Sequence, residues 1–260
     1  MELTNSNYHS LEANKLFFSV SQYKDFIGTD GFPKCEARAL AKVKGLWSEE
    51  PSIAMLTGSY VDASYEGTLD QFKKKHPKVF TQKLELRSEY KKAEEIIKVG
   101  EADEMFSTYM SGEKQVIMTA ELFGVLWKIK LDVVHPKRCL VDLKVIKSIY
   151  DRVWSNGAYL NFIQSYGYIT QGAVYKRVYQ INTGEELPFF LACLTKEAVP
   201  DKAIIQIPDI EMELELGHVK LNVEHILRLK NGDEPAVRCE RCDYCRSTKQ
   251  LSEVLSFYDL

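Results

Sequence analysis

Apolar positions along this chain change their period twice, and the changes separate helical from extended stretches. Pro33 to Lys44 predicts a helix: Pro lies near the opening turn, the interior is rich in Ala, and Gly45 stands where a C-cap belongs. Gly58 to Lys75 predicts a second helix, stopped by His76-Pro77. Lys83 to Val99 predicts a third, charged and amphipathic, ended by Gly100. From Gln115 to Val134 the period becomes two, with Lys128, Lys130 and Asp132 alternating with Ile129, Leu131 and Val133. His135-Pro136-Lys137 forms a turn, and Cys139 to Val145 is a further strand, apolar except at Asp142 and Lys144. Tyr159 to Tyr179 returns to helical spacing, Pro188 to Leu194 and Ala203 to Ile207 predict two more strands, and Asp209 to Lys230 a long helix before Asn231-Gly232. This order is an α/β layout with a mostly buried central sheet. No repeat, low-complexity segment or Gly/Ser-rich linker divides it, so residues 1–260 read as one domain.

Composition narrows the picture. A chain of 260 residues that is 45% hydrophobic can bury one large core, or one core and a small appendage. With 34 basic and 37 acidic residues the net charge is -3, so any contact with nucleic acid has to come from a local patch. Lys73-Lys74-Lys75 is the nearest candidate, although such a run is also the ordinary solvated end of a helix. No apolar run is long enough to span a membrane, and the opening residues lack the basic and apolar regions of a signal peptide. The expectation is a cytoplasmic protein, bacterial or in a phage-infected host. There the six cysteines are poor candidates for disulfides, and the cluster Cys239-Glu-Arg-Cys242-Asp-Tyr-Cys245 favours metal.

The candidate chemistry lies in the extended region. Acidic and cationic side chains are costly in a strand that is otherwise buried, yet Asp132, Asp142 and Lys144 occupy one. Asp142 and Lys144 sit at i and i+2, on the same face of a strand. Hydrolysis of a phosphodiester needs a nucleophilic water and relief of charge on the leaving oxygen, and Mg²⁺ or Mn²⁺ held by carboxylates can supply both. Asp132 and Asp142, on neighbouring strands, could converge on one ion, with Glu121 on the preceding strand as a further oxygen. Lys144 could orient the water or stabilise the transition state. The plainer alternative is an Asp142–Lys144 ion pair on an edge strand. An Asp ten residues earlier, across a Pro turn, weighs against it.

Asp132…Asp142-Leu-Lys144 resembles the D…(D/E)-x-K signature of the restriction-endonuclease-like, or PD-(D/E)XK, nuclease superfamily. Upstream, Gly58-Ser-Tyr-Val-Asp62-Ala-Ser-Tyr-Glu66 resembles the helix carrying G-x-x-x-H-x-x-x-E in RecB-type members, with Asp62 where those have His. Downstream, Tyr168-Ile-Thr-Gln171-Gly-Ala-Val-Tyr175 resembles their Q-x-x-x-Y helix, and Tyr168, Gln171 and Tyr175 share one helical face. RecE-like and lambda-exonuclease-like phage recombination nucleases are the relatives it is most similar to, over roughly Ser19 to Cys245. The resemblance implies a restriction-endonuclease-like core with a central mixed β-sheet flanked by helices and a C-terminal cysteine tail. It implies catalytic roles for Asp132, Asp142, Lys144, Glu121, Glu66, Gln171 and Tyr175, with metal at Asp132, Asp142 and Glu121. Among the acids outside the central set, Glu66 is the safer accessory candidate, and the role of Asp62 stays open.

Three of the four cysteines needed for a tetrahedral Zn²⁺ or a [4Fe–4S] cluster stand in the tail, and Cys35 is the natural fourth. One N-terminal and three C-terminal cysteines resemble the iron–sulfur staple of AddB-type nucleases, although the spacing of Cys239, Cys242 and Cys245 is tighter. Iron–sulfur is the first expectation for Cys35, Cys239, Cys242 and Cys245, with Zn²⁺ as the alternative. Cys139 and Cys193 read as buried packing residues.

The functional expectation is a metal-dependent exonuclease on linear DNA, resecting duplex ends in phage-type recombination. Its expected partners are DNA, a single-strand annealing or recombination protein, and further copies of itself. The alternatives are a structure-selective or nicking endonuclease of the same fold, and a non-catalytic DNA-binding scaffold with a zinc-bound tail.

Overall fold

The structure is a computed structural model and describes residues 1–30, 34–155, 157–251, 254 and 256–259. Helices α1 (Leu11–Leu16), α2 (Val20–Ile27), α3 (Glu36–Lys44), α4 (Ile53–Tyr65), α5 (Leu69–Lys75), α6 (Ser88–Glu101) and α7 (Glu104–Tyr109) come first. Strands β1 (Glu113–Leu122), β2 (Val125–His135) and β3 (Cys139–Ile146) form a meander, followed by the short β4 (Arg152–Ser155) and β5 (Ala158–Asn161). Then come α8 (Phe162–Ser165), α9 (Tyr168–Thr183), β6 (Phe189–Thr195), β7 (Lys202–Gln206), α10 (Asp209–Asn231) and α11 (Asp243–Ser247).

The central sheet runs β1-β2-β3-β6-β7, and β4-β5 form a separate two-stranded sheet. β3 and β6 pair in parallel and the remaining pairs are antiparallel, so the sheet is mixed. The parallel pair needs a crossover, and the segment from β4 to α9 supplies it. Strand alternation divides two cores. Leu140 and Ile146 of β3, with Phe189, Leu191 and Cys193 of β6, pack beneath residues of α2, α9 and α10. Val141 and Leu143, with Ala192 and Leu194, pack beneath α4, α6 and α7. By this alternation Asp142 and Lys144 belong to the face that α9 covers.

Several expected boundaries move for identifiable reasons. The expected start of the first helix at Pro33 lies outside the described residues, and α3 opens at Glu36 with Cys35 as its N-cap and Gly45 in the left-handed region at its end. The expected helix from Gly58 to Lys75 is two helices, split where Gly67 turns left-handed with φ of +75°. Gly100 does not stop α6. It lies inside the helix, where a side chain would collide with Tyr65, Phe106 and Leu194, so close packing is its role. The extended region from Gln115 to Val134 is a hairpin that turns at Phe123-Gly124, both with positive φ. Tyr159 belongs to β5 rather than to a helix, and α9 begins only after Gly167, itself at φ of +62°. Among the described residues no helix is long and apolar enough to cross a membrane.

Candidate active site

The acidic centre forms where the sheet opens. β2 and β3 pair from His135↔Cys139 to Val133↔Val141 and then part, one residue before Asp132 would face Asp142. The β1–β2 ladder also skips the Gln115 position opposite Asp132, where Gln115 adopts φ of +54°. Released from regular pairing, the Asp132 carboxylate takes up backbone and side-chain donors. Its Oδ2 accepts from the Leu143 N–H at 2.8 Å, and its Oδ1 from the Gln115 amide at 3.4 Å.

Asp142 is 2% exposed. Its Oδ1 accepts from Gln171 Nε2 at 2.7 Å. Its Oδ2 meets the Lys144 ammonium but accepts no well-directed hydrogen bond. Gln115 Oε1 is likewise buried without a hydrogen-bond partner. Buried oxygens left in this state are costly unless a further partner arrives.

Because the sheet parts here, both helical layers reach the site. A narrow cleft is lined by Asp62, Tyr65 and Glu66 of α4, by Met110, Lys114 and Gln115, and by Asp132 and Leu143. From the opposite layer come Gln171 and Tyr175 of α9, hydrogen-bonded to each other. The Tyr168 ring lies under two ammonium groups, Lys144 at 5.0 Å and Lys24 of α2 at 5.2 Å.

The electrostatics follow from this crowding. Burial, and then the neighbouring Asp142, push the Asp132 carboxyl up to about 7. Burial, then Asp132, also hold Asp62 well above the usual carboxylate range. Burial opposes the charge on Lys144, but Asp142, Tyr168 and Asp132 outweigh it and hold the ammonium more firmly than usual. For Lys24 the balance is reversed: burial, then repulsion from Lys144, outweigh the attraction of Asp142 and Glu215 and bring it down to about 7. Tyr175 is raised by burial, then by Tyr8, Asp142 and Asp132, which sets it within the field of both carboxylates. A cluster of three acids with one firmly held ammonium lacks positive charge. A divalent cation would supply it.

The structure therefore brings together Asp132, Asp142, Lys144, Glu66, Gln171 and Tyr175. It does not bring Glu121. That residue is exposed and pairs with Leu126 beside the Phe123-Gly124 turn, six residues from Gln115 and roughly 20 Å away along the strand. Its expected place among the metal ligands is corrected here: Asp62 and Glu66 are the acids that line the cleft with Asp132. Asp62 was detectable from its spacing, one helical turn before Glu66 on the same face. Lys24, Lys114, Gln115 and Tyr8 carried no local signal. The lysine run is only partly free, since Lys73 pairs with Glu94 at 3.6 Å and lies over the Tyr60 ring.

A second cluster joins the two ends of the chain. The Sγ atoms of Cys35, Cys239, Cys242 and Cys245 all lie within 4.8 Å of one another. Main-chain N–H groups point at three of them: Arg38 at Cys35, Cys242 at Cys239 and Cys245 at Cys242. Burial raises the Cys239 thiol, but the N–H groups of Arg241 and Cys242 and the adjacent thiols bring it down to about 6. The Ala37 N–H to Val237 carbonyl bond, at 3.1 Å, and the contact of Trp47 with Tyr244 fasten the same two segments. Cys139 and Cys193 are buried in the cores, as expected.

Comparison with known proteins agrees with this geometry. The chain is similar to a crystal structure from Eubacterium rectale described as a "Putative exonuclease", with 51% identity and a TM-score of 0.97 over 100% of this chain and 98% of that one. No match is found among curated proteins. Residues 19–248 match the PDDEXK-like domain of unknown function, DUF3799. With the Asp132, Asp142 and Lys144 centre at the parting of β2 and β3, the chain belongs to this PDDEXK-like family.

Proposed function

We propose that the protein is a metal-dependent exonuclease that hydrolyses phosphodiester bonds of linear DNA. The observation that carries this reading is the pairing of two buried aspartates with one firmly charged lysine where the sheet parts, Asp132 also lining a cleft with Asp62 and Glu66. Asp132 and Asp142 would hold Mg²⁺ or Mn²⁺, with Glu66 and Asp62 as further oxygen donors. The fit is good: the donors are all oxygens, the buried Gln115 Oε1 lacks a hydrogen-bond partner, Asp142 Oδ2 has only its ion pair with Lys144, and the carboxylates repel one another without a cation. When bound, the ion lowers the pKa of water and stabilises charge on the leaving oxygen.

The remaining work falls to the chain. Lys144, anchored on Asp142, orients the attacking water and stabilises the negative charge that builds on the phosphate. Gln171 fixes the Asp142 carboxylate by its amide and is itself held by Tyr175. Tyr168 holds the Lys144 and Lys24 ammoniums from one side. A preference for ends, and resection that leaves a single strand for an annealing protein, are the features this reading shares with the recombination nucleases it resembles. Digestion of end-labelled linear duplexes against closed circles, with and without Mg²⁺, tests it. Cleavage confined to linear DNA and to Mg²⁺ is expected, and cutting of closed circles would make it an endonuclease.

The cysteine cluster supports zinc over the iron–sulfur centre expected first. Four thiolates about a single Zn²⁺ at roughly 2.3 Å stand about 3.8 Å apart. Cys35–Cys245, Cys35–Cys242 and Cys239–Cys245 are separated by 3.5, 3.7 and 3.9 Å. A cubane sets a separate iron beneath each thiolate and spreads the sulfurs beyond any single-ion tetrahedron. Zinc here is structural, closing the chain ends on each other. A colourless protein carrying one zinc per chain is expected, and brown, iron-containing protein from anaerobic purification would overturn the assignment.

A further inference from the structure

Among the described residues the β4–β5 hairpin pairs with no strand of the central sheet. Two-stranded ribbons are marginal by themselves, yet this one turns its largest side chains to solvent. Trp154 and Tyr159 are direct cross-strand partners, edge to face at 4.8 Å, and are 61% and 71% exposed. Tyr150, just before the hairpin, is 75% exposed. Arg152, two residues from Trp154, lies on the same strand face and pairs with Asn161. The outward face of the ribbon is thus two aromatic rings, a guanidinium and an amide.

A cross-strand pair can serve the hairpin alone. That does not account for the aromatic residues that follow it along the chain toward the acidic centre. Asn161, the last residue of β5, caps α8 through a reciprocal bond with Gln164. α8 packs on both hairpin strands and delivers the chain to Tyr166. The exposed Tyr166 stacks on Tyr168 at 6.0 Å with only 21° between the rings, and Tyr168 carries Lys144 and Lys24. Lys24 donates to the Tyr166 carbonyl at 2.9 Å, tying this segment to α2.

We propose that the exposed rings of Tyr166, Tyr159, Trp154 and Tyr150, beside the Tyr168 that carries Lys144 and Lys24, form a stacking platform for unpaired bases of the DNA strand that leads into the active site. The proposal rests on the nuclease reading of the neighbouring centre. Every base presents a π-face, so aromatic rings interleaved with Arg and Lys hold a single strand without regard to sequence. A second copy of this chain is less suited to the surface, because a guanidinium and an amide interrupt the apolar face.

Tryptophan emission offers a readout independent of cleavage. Of the three tryptophans, Trp127 is fully buried and Trp47 packs on Tyr244, which leaves Trp154 as the exposed reporter. The probe is a single-stranded oligothymidylate with nuclease-resistant phosphorothioate linkages. Titration should quench the emission, and Trp154→Phe should abolish the quench while keeping affinity within about twofold, since Phe still stacks. Trp154→Ala with Tyr159→Ala should weaken binding roughly 100-fold, about tenfold for each lost stack. Unchanged affinity in the double variant overturns the platform, including the case in which that variant instead dissociates an oligomer. Should the double variant not fold, a wild-type titration without quenching is enough to overturn it. Quenching by an intact protein that never cuts linear DNA would refute the nuclease reading and leave the platform standing.

Discussion

The acidic centre and the cysteine cluster are both gatherings of metal-type ligands, but they are built on opposite principles. The cysteine cluster is closed: four soft donors lie within 4.8 Å of one another and would fill the four positions of a tetrahedral ion. The acidic centre is open: Asp132 and Asp142 sit where two strands part, beside a cleft lined by Asp62 and Glu66. On the proposed reading one site would use a metal to hold the fold, and the other would bind its metal beside a cleft that a phosphate can approach. The difference teaches that buried like charges can be tolerated in a fold when they are reserved for a cation and substrate that come and go. Such a site weakens the metal-free fold, whereas the cysteine site strengthens the metal-loaded one.

Removing a ligand from each site should break the comparison most sharply. Asp132→Asn should abolish Mg²⁺-dependent cleavage, by a factor of about 10³ or more, because the divalent cation loses one of its two anchors. The same variant should melt no lower than wild type without divalent metal, since a repelling charge has gone. Cys245→Ser should do the reverse. It should cost the fold several kcal/mol, on the order of 3 or more, while the folded fraction at low temperature keeps its turnover number. Calorimetry and initial rates on both purified variants check the pair, and equal effects on stability would erase the distinction.

A smaller effect belongs to Gln171, which reaches the metal only through Asp142. Gln171→Leu should reduce cleavage about 10- to 100-fold, the usual range for a group that orients a ligand, with metal affinity falling in step. Metal titrations beside the rates check it, because a purely structural role would lower stability and leave metal affinity alone.

The pH dependence sharpens the same contrast. In the folded, metal-free protein the Asp132 pKa is raised to about 7, above its unfolded value. Its contribution to stability is therefore present below the unfolded pKa, about 4, and lost as pH rises through about 7. Metal binds the ionised form and so restores that loss. The rise in Tm on adding Mg²⁺ should be larger at pH 8 than at pH 5.5, and metal affinity should fall about tenfold per unit below 7. Thermal melts at the two pH values check this; an equal rise at both would contradict it. Smallest of all, Glu121→Gln should leave cleavage within about twofold, since it lies at the far end of the hairpin.

How much of this was legible in the sequence depended on whether a residue's partner was local. Asp132, Asp142 and Lys144 stood out because charge in an apolar strand is costly, whereas Gln171 and Tyr175 came from the resemblance to the Q-x-x-x-Y helix. The four cysteines were legible as a set, but the metal was not, because spacing along the chain does not fix Sγ separations in space. Glu121 misled because the register of the hairpin is not written in the sequence: with the turn at Phe123-Gly124, Glu121 pairs with Leu126 and Gln115 lies opposite Asp132. Lys24 and Tyr8 reach the site across tertiary packing, from elements without a strong period of their own. The β4–β5 hairpin escaped because four-residue strands are too short to show alternation against a helical reading of Tyr159 to Tyr179.

The central claim is that Asp132 and Asp142 together hold the ion on which cleavage depends. Calorimetric titration of Mn²⁺ into the zinc-loaded protein, repeated with Asp132→Asn and Asp142→Asn, tests it most directly. Oxygen-ligand binding in the wild type that both variants lose, together with their cleavage of linear DNA, is the predicted result. Undiminished Mn²⁺ binding in either variant, or cleavage that persists without it, would contradict the account.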